Sequence, residues 1–122
     1  MPDPDLTPVF QRLRSILAPY EDRLVKVHET PEHYYLDTAH AMPNGKPLFF
    51  GAATVGKRHV SFHLMPVYVF PELLDGTSDA LRRRMQGKSC FNFKAVDEAL
   101  AAELETLTAR GFARYREAGY VR

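Results

Sequence analysis

The sequence predicts an α+β fold: a two-layer sandwich with a mostly antiparallel sheet of about five strands and the N- and C-terminal helices on one face. Three observations carry that expectation. Residues 42–68, MPNGKPLFFGAATVGKRHVSFHLMPVY, hold two aromatic-rich alternating runs that meet at Gly56-Lys57. Residues 89–93, SCFNF, repeat the alternation and carry the only cysteine, Cys90. Apolar stripes at three- and four-residue spacing bracket these runs at both ends of the chain. Period-two alternation marks half-buried strands, and the wider spacing marks amphipathic helices.

The first helix enters through Thr7-Pro8, a hydroxyl cap with proline at the first helical position. Leu6, Val9, Phe10, Leu13, Ile16, Leu17 and Tyr20 form its apolar stripe, with Gln11, Arg12 and Arg14 outside. Pro19 disfavours helical geometry at Ala18 and ends it. Residues 24–29 and 33–38 read as two strands around a Thr30-Pro31-Glu32 turn. Residues 48–55 and 59–69 form the central hairpin. Gly51, Ala52 and Ala53 are small, which admits a close helix or leaves a hollow. Ser78 caps a short helix over 79–86 that Gly87 stops. After the fifth strand, a helix from about Asp97 ends in Arg110, Arg114 and Arg116, acid first and base last along its dipole. Val96, Leu100, Leu104, Leu107, Gly111 and Tyr115 make its buried stripe, with Phe112 at the edge.

A chain of 122 residues, 45% hydrophobic, is expected to be a single domain over 1–122 with a core large enough to need no cofactor. Sixteen basic and fifteen acidic residues leave a net charge of +1, so no global field favours nucleic acid or an anionic membrane. No apolar stretch approaches the ~20 residues of a membrane span. The opening MPDPD lacks the basic and apolar regions of a signal peptide, and one cysteine closes no internal disulfide, so a cytoplasmic location is expected.

The blocks GKPLFFGAATVGKRHVSFHLMPVY and RRRMQGKSCFNF, with the acid-capped helix that follows, resemble the YdhG-like domain family of uncharacterised bacterial proteins. The resemblance runs roughly from Tyr20 through Tyr115. It implies a small cytoplasmic α+β domain with no established catalytic residues, some members carrying a frataxin-like iron-chaperone label. Iron binding of that type uses an acidic ridge on the first helix. Here that helix offers Arg12 and Arg14, with Glu21 and Asp22 only beyond its end, so no iron ligand is carried over.

Alternation also defines a candidate site. Val60, Phe62 and Leu64 point one way on the fourth strand; Ser61, His63 and Met65 point the other. On the fifth, Ser89, Phe91 and Phe93 oppose Lys88, Cys90, Asn92 and Lys94. Ser61, His63, Lys88, Cys90 and Asn92 therefore share the open face, a tentative site for a small polar or anionic ligand. One of Tyr34 and Tyr35, and one of Phe49 and Phe50, join them there. The leading reading is a non-enzymatic module binding a small ligand or a protein partner on this face. The runner-up is iron-chaperone-like metal handling, resting on the family label alone. A Cys90–His63 enzyme is the third, because a thiol beside an imidazole is the chemistry of a nucleophile and its base. His28, His33 and His40 with Asp37 lack any metal-ligand spacing. In the run Arg82-Arg83-Arg84, residues ~100° apart on a helix cannot all face one surface, which disfavours a nucleic-acid contact. Exposed aromatic area on an open face suits a second copy, so a homodimer is expected through residues 48–68 or the adjoining edge strand.

Overall fold

A computed structural model describes residues 5–122. Most of the opening MPDPD, on which the reading of a missing leader rests, lies outside the described residues. Helix α1 (Thr7–Leu17) runs into a 3₁₀ segment (Ala18–Arg23), followed by strands β1 (Val25–Glu29), β2 (His33–Ala41), β3 (Pro47–Val55) and β4 (Val60–Leu64). Short helices α2 (Met65–Val69) and α3 (Asp79–Arg82) precede β5 (Cys90–Phe93) and the long α4 (Glu98–Glu117). The five strands form one antiparallel meander in the order β1-β2-β3-β4-β5. This is the expected α+β fold. Among the described residues, no helix is long and apolar enough to cross a membrane.

One sheet face is buried under α1 and α4. Tyr34, Leu36, Phe50, Ala53, Val60, Phe62, Leu64, Phe91 and Phe93 project into it, and the stripes of the two helices close over them. Phe50 anchors the layer, edge-on to Phe112 and Tyr115 at 5.8 Å. Two glycines set how closely the layers approach. A methyl group on Gly51 would meet Leu17 Cδ2 at 2.9 Å, and one on Gly111 would meet Pro66 Cβ at 2.9 Å. The small residues of β3 thus serve helix approach at Gly51. Ala52 faces the opposite way, in register between Tyr35 and His63.

Three local expectations change. The α1 cap is not Thr7: the helix begins there, and Asp5 accepts the Thr7 N–H at 3.0 Å from two positions upstream. The fourth strand stops at Leu64, because Pro66 has no N–H for the ladder and instead opens α2. Tyr68 therefore sits on a helix, exposed. Val96 lies before the Asp97 cap of α4 and is exposed, outside the buried stripe. The caps at Ser78 and Asp97 are as expected, accepting from Leu81 N–H and Leu100 N–H at 3.1 Å.

The two sheet edges differ. The outer edge of β5 is covered by residues 84–86: Asn92 N–H donates to Arg84 O at 2.8 Å and Gln86 N–H to Cys90 O at 2.9 Å. Among the described residues, the outer edge of β1 has no strand beside it. It carries exposed Val25 and Val27, with a bulge between Lys26 and His28.

Candidate functional site

Neither α1 nor α4 covers the second sheet face, and alternation decides what stands on it. From β1 to β5 it presents His28, then His33, Tyr35 and Asp37, then Phe49 and Ala52, then Ser61 and His63, then Cys90 and Asn92. Of the paired alternatives, Tyr35 and Phe49 take the open face while Tyr34 and Phe50 are fully buried. A bulge in β3 between Phe49 and Gly51 lets Phe50 and Gly51 both face the core.

The rings on this face form a continuous file. His28 stacks on His33 at 4.7 Å, and both meet Tyr35 edge-on at 5.8 Å. Tyr35 stacks on Phe49 at 4.6 Å, and Phe49 meets His63 perpendicularly at 5.4 Å. Five rings thus cross four strands, with Ala52 small enough to leave room between Tyr35 and His63. Cross-strand pairing of this kind adds stability beyond burial. Burial in the file lowers the His63 pKa, and burial together with neighbouring His28 lowers that of His33. Burial also raises Asp37, and burial with the Asp37 charge raises Tyr35.

Four of the five predicted site residues come together at the β4–β5 end. Ser61 pairs in register with Asn92, and His63 with Cys90. The Ser61 hydroxyl donates to Asn92 Oδ1 at 2.9 Å, the Cys90 thiol points to the same oxygen at 3.7 Å, and Asn92 Nδ2 donates to Gln86 Oε1 at 2.7 Å. Lys88 stands apart, its Nζ 6.0 Å from the Tyr68 ring. Ser89 is a correction. It was expected beside Phe91 and Phe93, but it precedes β5, and its hydroxyl hydrogen bonds His63 Nε2 at 3.0 Å. Period-two alternation fails at a strand's threshold, and nothing in the sequence marks that one.

The Cys90–His63 reading gains proximity and loses chemistry. The two residues are cross-strand neighbours, but the imidazole nitrogen engages Ser89 and the thiol engages Asn92. For metal, no group of three or more His, Cys, Asp or Glu side chains is placed to hold an ion among the described residues. His28 and His33 approach as stacked rings rather than converging ligands. Two hollows lie off this face. One of about 740 Å³ lies between the start of α1 and the β1–β2 and β3–β4 turns; another of about 850 Å³ lies at the C-terminal end of α4.

The arginine run also differs from expectation. Helix α3 ends at Arg82, which pairs with Asp79 at 3.7 Å and donates to Thr77 O at 2.8 Å. Arg83 is the C-cap of α3 and Arg84 lies beyond it, so the run is not three residues of one continuing helix. Both line a groove of about 370 Å³ beside β5.

Comparisons with protein-family models, with curated protein sequences and with solved structures find no match to this chain.

Proposed function

We propose that this chain is a non-enzymatic binding module whose open sheet face docks a flat protein surface, the occupant being a second copy of the chain. The file of five rings across four strands, on a face neither long helix covers, carries this reading. Rings stacked on one another turn their edges outward, which suits contact with another surface better than intercalation of a planar ligand. An enclosed small ligand calls for a concave site, and hollows of about 740 and 850 Å³ lie elsewhere. The face carries a single acid, Asp37, so two copies meet across it with little like-charge repulsion. Apolar area removed from water there contributes ~25 cal/mol per Å², and a two-fold pair closes on itself. The sequence blocks that resemble the YdhG-like family imply a small α+β domain with no established catalytic residues, in keeping with a non-enzymatic role. The family's iron-handling label has no cluster of three ligands behind it among the described residues.

Light scattering at micromolar concentration tests the reading. We expect a mass near twice 13.9 kDa for the wild type, falling to 13.9 kDa for Phe49→Glu with an unchanged circular dichroism spectrum. A wild-type mass of 13.9 kDa that does not move on roughly tenfold concentration overturns it.

A further inference from the structure

The net charge of +1 conceals a separation. Residues 38–71 and 80–96 contain eight of the sixteen cations and none of the fifteen acids, so the remainder of the chain holds eight cations against fifteen acids. The acid-free stretches contain β3, β4 and β5; the described acids belong to β1, β2, the start of α3, α4 and the segments outside these elements. Three of these eight cations, Arg83, Arg84 and Lys94, line one groove of about 370 Å³ along the covered edge of β5.

Apart from Met85, its lining is polar or charged: His59, Arg83, Arg84, Gln86, Asn92 and Lys94. No Asp or Glu lines it. Pairing of Val60 with Phe93 sets His59 and Lys94 side by side at the sheet end. The Asn92 N–H bond to Arg84 O and the Gln86 N–H bond to Cys90 O fix residues 84–86 against the strand. Asn92 is itself held by Ser61 and Gln86, leaving a rigid polar floor.

The groove's cations are not among those engaged by an acid. Arg12 engages Glu98 and Glu105, Arg14 engages Glu29, Lys26 engages Glu21 and Glu29, and Arg114 engages Glu72. Arg83, Arg84 and Lys94 make no ion pair among the described residues, although the molecule has almost enough acids to neutralise every cation. Gathering three such charges raises their mutual repulsion, which an anion in the groove relieves. Guanidinium groups also match phosphate oxygens in a bidentate fork.

We infer that the groove beside β5 binds a low-molecular-weight phosphate-bearing ligand, with Arg83, Arg84 and Lys94 on its phosphate oxygens. The volume matches the small end of ligand sites, ~300–1,000 Å³. This site shares only Asn92 with the open face and none of its rings, and its failure leaves the docking reading intact.

Pyrophosphate titrated into the isotope-labelled protein at low salt, followed by amide NMR, tests it. We expect saturable shifts confined to residues 57–59, 83–86 and 92–94. Arg84→Gln with Lys94→Gln should weaken binding at least about tenfold, the equivalent of one charge-assisted hydrogen bond. Arg116→Gln, on α4, should leave it unchanged, and retained amide dispersion in each variant shows that it folds. Absence of saturable shifts overturns the inference, as does an equal loss in Arg116→Gln. A thymidine octanucleotide titrated in parallel separates the sources of phosphate. Binding no tighter than pyrophosphate supports a small ligand, whereas much tighter binding through the same residues assigns the groove to a nucleic-acid backbone and overturns it.

Discussion

Phe49 and Phe50 are neighbours in sequence and stand on opposite faces of one sheet, and the two faces use their rings differently. On the helix face, Phe50 is fully buried and surrounded by Tyr20, Phe112 and Tyr115, where ring area excludes water and holds the layers together. On the open face, Phe49 keeps part of its surface exposed and packs only within its own layer, against Tyr35 and His63. The comparison teaches that aromatic content alone does not separate a core from a surface built for contact. What separates them is whether a second layer closes over the rings.

The sharpest way to break the comparison is to truncate each ring. Phe50→Ala should cost about 3–5 kcal/mol, because it opens a cavity that neither helix can fill. Phe49→Ala should cost clearly less, and urea denaturation measures both. Equal losses would mean that the open face is as structural as the core. Gly111→Ala should cost about 1–3 kcal/mol, since its methyl group meets buried Pro66 with no room to move. Asp97→Ala removes the α4 cap and should cost about 1 kcal/mol in the same assay.

Acid should act on the open face before the core. The folded pKa values of His63 and His33 lie below the ordinary histidine value, so the unfolded chain takes up protons first as pH falls. The stability that neutral imidazoles supply is complete above about pH 6.5 and is lost as pH falls through that value toward the folded pKa. Melting temperature should therefore drop between pH 7.5 and 5.5, and drop less in His63→Gln. The smallest effect belongs to Asp37, whose carboxylate is disfavoured by burial. Asp37→Asn should raise the melting temperature slightly at neutral pH, where the charged form is the one penalised, and that gain should shrink toward pH 4.

The architecture was legible because it rests on periodicity. Val60, Phe62 and Leu64 against Ser61 and His63 is a two-residue alternation, and the β5 partners follow it, so the faces of both strands could be assigned without coordinates. The ring file was half legible: alternation says that one of each aromatic pair faces outward, but only strand register shows His28, Tyr35 and His63 in line. Ser89 was hidden, since alternation extended one residue too far. The basic groove was hidden for two reasons. A net charge sums over the chain and erases separation, and the short length of α3 put Arg83 and Arg84 on a strand edge rather than around a helix.

The uneven edges of the sheet limit how this protein assembles. With β5 already flanked by residues 84–86, strand addition to the described residues has a single address, the outer side of β1. A chain able to grow at both ends builds a fibre; one that grows at one end stops after a single partner. Any sheet-extending contact between copies must therefore join β1 to β1 and terminate as a pair, with the bulge between Lys26 and His28 a further obstacle to longer registry.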